Sequence, residues 1–193
     1  MESDRGGTKK RIVDAAAEIV GSQIGADLTI RELAKKANVN IAAVNYYFNT
    51  KDNLMHEIEQ TFATEFKNIN TFLSREKNLP PRERLFQWAE MLMSYLMEKP
   101  GTIGTFVVNV VSGWNSTLIP ELVHGLSNYL LPVVKKLLKN DDYNTAYRAS
   151  LHIMSCIITP ILIYHASSTG LAIDISDRAR RREYISSFLD YFS

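Results

Sequence analysis

The chain has 193 residues, 46% of them hydrophobic, with a formal net charge of +1, enough for one or two domains with a sizeable core. Its single cysteine, Cys156, excludes an intrachain disulfide framework and a multi-cysteine metal site. The near-neutral balance excludes a polyelectrolyte that grips nucleic acid along its whole length, so any such contact must come from locally placed charge.

The opening run MESDRGGTKKR lacks the apolar core of a signal peptide, and a cytoplasmic protein is expected. A first helix is predicted over about 8–24, with an apolar stripe at Ile12, Ala16, Ile19 and Val20 and a stop near Gly25. Thr29, with Glu32 three residues on, forms a capping box, so a second helix starts at Ile30. Leu33, Ala34 and Ala37 give it one apolar edge, and Ala34 is small where another helix must cross closely. Asn38 suits the left-handed conformation of a tight turn. Val39 anchors the chain after it, and Asn40 caps a third helix over about 41–47. Val44 and Tyr47 or Phe48 point back to the core. Two helices joined by so short a turn are the unit that reads DNA with its second helix in the major groove; an ordinary helical hairpin shares the spacing.

Thr50 caps a long fourth helix with apolar residues at Leu54, Ile58, Phe62, Phe66, Ile69 and Leu73. Asn78-Leu79-Pro80-Pro81 is the clearest break, and Pro81 suits a helix start. Further helices are predicted over 82–98, 102–114, 117–139, 143–168 and 177–192, the last capped by Ser176 or Asp177. Pro132 and Pro160 fall inside two of these. Each removes a backbone bond and should kink its helix, freeing the carbonyls of Asn128 and Cys156 towards a ligand. No strand alternation persists, so the fold class is all-α.

From Ala149 to Ile173 there is no Asp, Glu, Lys or Arg in 25 residues, a length that could span a bilayer. Ser150, His152, Ser155, Thr159, Pro160 and His165 make insertion costly. The expectation is a helix buried on two sides, by its own core and by a second subunit, with no membrane.

The run NYYFNTKDNLM resembles the signature that ends the N-terminal domain of TetR-family transcriptional regulators. The resemblance covers about 8–55 and includes Ile12, Ala16, Ile19, Val20, Gly25, Thr29, Ala34, Val39, Val44, Tyr46, Phe48, Lys51 and Leu54. Asn38 stands where the family usually has Gly, and Asn40 where it often has Ser. The resemblance implies a three-helix helix-turn-helix domain over 1–51 and a larger helical domain over 52–193 for ligand binding and dimerisation. It implies a DNA-binding regulator rather than an enzyme, with repression as the usual behaviour.

The third helix carries no Arg or Lys, so a bidentate Arg cannot read guanine from it. Asn40 and Asn45 suit adenine, and the methyls of Ala42 and Ala43 suit the thymine methyl. Arg31, on the second helix, is the nearest candidate for guanine. By resemblance Tyr46 and Lys51 are phosphate contacts, and Lys51 lies at a helix start where the dipole also favours anions. Thr29 can donate its hydroxyl or backbone N–H to a phosphate. From Thr29 to Lys51, Arg31, Lys35, Lys36 and Lys51 against Glu32 give 4 − 1 = +3, and Lys9, Lys10 and Arg11 add a cluster. One reading helix buries little DNA surface. A homodimer presenting two of them about 34–36 Å apart to a palindromic double-stranded operator is therefore expected.

By resemblance the C-terminal helices enclose a ligand pocket, and the last two pair with their copies in a dimer. The pocket candidates are Trp88, Met91, Tyr95, Phe106, Asn109, Trp114, Tyr129, His152 and Tyr164, and the expected effector is a mostly apolar small molecule. The alternative is that this domain binds a protein partner. Tyr184, Ile185, Phe188, Leu189 and Phe192 form a stripe that must be buried. Arg178, Arg180, Arg181 and Arg182 open the last helix, where the dipole disfavours cations, and should pair across a dimer rim or remain solvated. His152 and Cys156 share a helical face, but no acid orients them. Neither catalysis, a cofactor nor a metal site is expected there.

Overall fold

The computed structural model describes residues 3–112, 116–166 and 173–192. They are helical, with no strand among them. In order the elements are α1 (Ser3–Gly21), α2 (Ile30–Ala37), α3 (Ile41–Phe48), α4 (Lys51–Arg75), α5 (Pro81–Glu98) and α6 (Gly101–Ser112). There follow α7 (Leu118–Gly125), a π turn (Leu126–Leu130), α8 (Leu131–Leu138), α9 (Tyr143–Ala166) and α10 (Arg178–Asp190). The chain divides into two compact units, Met1–Thr64 with Lys99–Ile119, and Glu65–Glu98 with Pro120–Ser193. The expected boundary at Lys51 marks the end of the helix-turn-helix. The compact unit that contains it continues along α4 and also takes in α6.

In the first unit, Ile12, Ala16, Leu33, Val44, Phe48, Leu54, Ile58 and Phe62 share one core. These are the apolar stripes of α1 to α4, and their burial is what joins the four helices into one body. α6 joins the same unit where Gly101 meets α1: a Cβ there would overlap the Val20 carbonyl oxygen. Buried Glu59 receives the Thr117 backbone N–H on Oε2 at 3.1 Å, tying α4 to the segment before α7.

In the second unit, α5 is the central helix, with Leu85, Trp88, Ala89, Leu92 and Met93 buried. Arg84 is also buried, and its guanidinium donates to the carbonyls of Leu73, Lys77 and Leu79. It thereby satisfies one acceptor in the last turn of α4, where the dipole favours a cation, and two in the turn that follows. Arg82 binds Asp190 and donates to Ser186 Oγ at 2.9 Å, joining α5 to α10. Asp142 and Asp177 accept from Thr145 N and Arg180 N at 2.7 and 2.9 Å, so they cap α9 and α10.

Several sequence expectations change here. The single helix expected over 117–139 is interrupted by the π turn, in which the Leu131 N–H reaches back five residues to Leu126 O. Pro132 follows at once; having no N–H, it cannot continue the ordinary ladder. The Cys156 carbonyl freed by Pro160 is not left for a ligand, because the Tyr184 hydroxyl donates to it at 2.8 Å. The arginines of α10 find partners inside the chain. Arg178 and Arg182 bind Glu90, and Arg181 is buried, donating to Ile175 O at 2.8 Å. α9 is long and apolar enough to cross a membrane, and 33% of its apolar window is buried. The second covering surface expected for it would have to come from outside this chain.

Candidate nucleic-acid interface

The turn between α2 and α3 sets the site. The Thr29 hydroxyl accepts the Glu32 N–H at 3.2 Å and starts α2. Asn38 ends it with φ 52° and ψ 53°, the left-handed conformation expected of it. The Val39 N–H then bonds the Ala34 carbonyl at 3.0 Å. Asn40 caps α3 by accepting the Ala43 N–H on Oδ1 at 2.7 Å. That carboxamide oxygen is therefore engaged, and its NH2 group is the part left to meet a base edge.

With Val44 and Phe48 turned into the core, α3 presents Ile41, Ala42, Asn45 and Tyr46 outward. Tyr46 is 72% exposed and stands edge-on to Tyr47. Tyr47 and Ala43 are half-buried, so Ala43 lies at the margin of the outward face rather than at its centre. Ile41 is 45% exposed beside Ala42. It was absent from the sequence-derived set, although counting one helical turn back from Asn45 reaches it. The face is apolar and amide, suited to thymine methyls and adenine edges.

The cations around it are not all free. Lys36 pairs with Glu18 at 2.8 Å and Lys51 with Asp27 at 3.4 Å, so acids outside the counted segment offset part of its +3. Lys9 binds Glu57 at 2.6 Å and also lies over the Phe48 ring, 5.9 Å from its centroid. The Lys51 pair is long and highly exposed, worth little in water, and easily exchanged for a phosphate. Lys51 is the first residue of α4, where the Thr50 hydroxyl accepts the Asn53 N–H at 3.2 Å. Thr29, Arg31 and Lys35 are exposed.

The pocket candidates are dispersed. Trp88 alone of them lines an apolar cavity of about 170 Å³ in the second unit, whose other walls include Phe66, Leu126, Leu130, Met154 and Ile158. Met91 and Tyr95 line an open groove that also carries Glu83, Glu90 and Glu98, and the Tyr95 hydroxyl donates to Glu65 at 2.9 Å. Phe106 belongs to α6 in the first unit. Tyr129 packs edge-on to His124 and Tyr164 to His165, while His152 is exposed. Trp114 and the Asn109 side chain lie outside the described residues. Asn70, Leu126 and Met154 lie outside the sequence-based candidates, because which of many similar amide and apolar side chains meet at one cavity is set by packing rather than by residue type. Cys156 is half-buried, and burial pushes its thiol up, away from the reactive thiolate. Among the described residues no group of three His, Cys, Asp or Glu could hold a metal ion.

The family model described as "Bacterial regulatory proteins, tetR family" matches residues 12–58, the segment that builds this interface. A Bacillus subtilis (strain 168) protein described as a probable HTH-type transcriptional regulator, YttP, is 30% identical over 125 residues, covering 64% of this chain and 58% of that protein. A TetR regulator from Legionella pneumophila has the same fold, with a TM-score of 0.69 at 14% identity over 95% of each chain. FadR from Bacillus subtilis, solved in complex with stearoyl-CoA, gives 0.63 at 14% identity over 95% of this chain and 97% of its own. These structural likenesses establish the shared architecture, an N-terminal helix-turn-helix domain followed by a helical domain. With that architecture, the matched segment over 12–58 and the curated relative, the chain resembles the TetR-family regulators, which are not enzymes, in its fold and in its N-terminal helix-turn-helix.

Proposed function

We propose that the protein is a cytoplasmic transcriptional repressor that binds a palindromic operator as a homodimer and leaves it when a mostly apolar small molecule occupies the second unit. The observation that carries the DNA-reading part is the exposed, uncharged face of α3, held outward by the left-handed turn at Asn38. Asn45, Ala42 and Ile41 would read base edges, joined by the Asn40 NH2 group and, at the margin, Ala43. Tyr46, Lys51 and Thr29 would hold phosphates, and Arg31 would reach a flanking guanine or phosphate.

The dimer reading is supported by α9, whose Leu151 and Ile163 are 44% and 43% exposed within one chain. A second copy is the cover we assign to this face. The effector reading is supported by the cavity beside Trp88 and by the stearoyl-CoA complex of the structural neighbour FadR. Ligand binding would favour a dimer whose reading helices sit at the wrong separation, a coupling of typically about 1–3 kcal/mol. A second reading, a protein partner in place of the small molecule, is favoured by α6, where Val107, Val108, Val110 and Val111 are exposed.

The test is selection of bound fragments from the source genome, followed by fluorescence anisotropy at two salt concentrations. A palindromic site bound at least about tenfold more weakly by Tyr46→Ala supports the reading. Weak binding that is alike for all sequences and lost with modest salt would remove it.

A further inference from the structure

The cavity beside Trp88 holds one polar group whose hydrogen-bonding capacity is unused. Asn70 is 2% exposed, and its Oδ1 accepts the Trp88 indole N–H at 3.0 Å. An indole N–H can only donate, so the amide is oriented with its oxygen towards Trp88 and its NH2 group away. That NH2 group is buried and has no hydrogen-bond partner. It faces Gly125, where a Cβ would overlap Nδ2. Gly125 therefore lets the backbone lie close against this unpaired donor, and both residues line the cavity where α7 passes into the π turn, a helical irregularity frequent at functional sites.

The rest of the wall decides what can meet this donor. None of the described lining residues is Asp, Glu, Lys, Arg or His. Tyr147 is the other polar side chain on it, half-buried and stacked on Tyr143 at 5.7 Å. An anion here would lose its hydration with no cation to replace it. Water is a poor occupant, because an ordered molecule needs two to four polar partners and, apart from Asn70, Tyr147 and the engaged Trp88 indole, the lining side chains are apolar. At about 170 Å³ the space suits a compact molecule of one ring, and Val123 at its edge is exposed, which gives a way in.

We infer that this cavity takes a neutral, compact, largely apolar molecule with one hydrogen-bond acceptor, such as a ketone, ester or amide carbonyl, and that Asn70 Nδ2 is the donor that selects it. The inference deepens the effector reading above and rests on it for any role in regulation, though not for binding itself.

The test uses the full chain and three molecules of nearly one shape in isothermal titration calorimetry: acetophenone, ethylbenzene and benzoate. Acetophenone should bind about tenfold more tightly than ethylbenzene, the worth of satisfying one buried donor, and benzoate should bind more weakly than either. In Asn70→Leu, checked for folding by circular dichroism, acetophenone and ethylbenzene should bind within about twofold of each other. The wild-type ratios do not depend on that variant folding. Equal affinity of acetophenone and ethylbenzene in the wild type would overturn the inference. So would benzoate binding as tightly as acetophenone, an acetophenone preference that survives Asn70→Leu, or no binding of all three. Anisotropy with the selected operator separates the two readings. Selective acetophenone binding that leaves operator affinity unchanged would keep the selective site and sink its role in DNA release.

Discussion

The Tyr184 hydroxyl donates to the Cys156 carbonyl at 2.8 Å, and Cys156 lies four residues before Pro160. α10 thus supplies the hydrogen bond that α9 cannot make for itself, since the Pro160 ring has no N–H to return to that carbonyl. A proline inside a 24-residue helix is tolerated because a side chain 28 positions beyond Cys156 completes the ladder.

Tyr184→Phe should therefore destabilise the fold by about 1–2 kcal/mol in urea denaturation, the cost of one unsatisfied buried acceptor. Burial, and to a lesser degree the neighbouring Cys156, pushes the Tyr184 phenol from 10.0 up to about 12. The unfolded state then loses this proton first. The associated stability is present below pH 10.0 and is lost as pH rises through about 12. Comparing denaturation midpoints at pH 9 and pH 11 should show a smaller loss in Tyr184→Phe than in the wild type.

Asn38 holds φ 52°, where a side chain other than Asn or Gly is strained. Asn38→Gly should leave thermal stability within about 0.5 kcal/mol, and Asn38→Ala should lower it by about 1 kcal/mol. Operator affinity should follow the same order, because this turn aims α3. Equal behaviour of the two variants would show that the turn is not a constraint.

Asp27 holds the Lys51 ammonium at 3.4 Å, and at the proposed interface it would compete with DNA for it. Asp27→Asn is expected to strengthen operator binding by about two- to fivefold at low salt, the scale of an exposed ion pair, and by less as salt rises. Lys51→Ala should weaken binding to all sequences alike and reduce the salt slope by about one. Fluorescence anisotropy across a salt series reads both.

Arg84 is a buried cation whose partners are backbone carbonyls. Arg84→Met should cost about 2–4 kcal/mol, since three acceptors lose a charged donor. Arg84→Lys should recover only part of this, because one ammonium cannot span carbonyls that the planar guanidinium bridges. Chemical denaturation of both variants checks the order.

Gly101 has no room for a Cβ against the Val20 carbonyl. Gly101→Ala should destabilise by about 1–3 kcal/mol, the range for overpacking a close contact. Gly6→Ala, inside α1 with open space around it, should by contrast leave stability unchanged or raise it by up to about 1 kcal/mol in the same thermal melts.

Local chemistry by itself determined the helix-turn-helix. Thr29, Asn38, Asn40 and Thr50 each act within about four residues of themselves, so their roles as caps and turn were legible before any tertiary contact was known. The helical period likewise assigned the apolar stripes of α1 and α4 to a core. The polar partners were decided only by the tertiary structure. The sequence assigns Arg82 and Arg84 no partner, and the fold gives them Asp190 and the carbonyls around the end of α4; the α10 arginines, expected at a dimer rim or solvated, meet Glu90 and the Ile175 carbonyl. The unpaired Asn70 donor, its orientation by Trp88 and the close approach of Gly125 come from residues up to 55 positions apart, and no spacing rule connects them. Caps and periods are properties of neighbouring backbone, and a sequence displays them directly; which buried group is left without a partner depends on which elements meet, and that is set by packing.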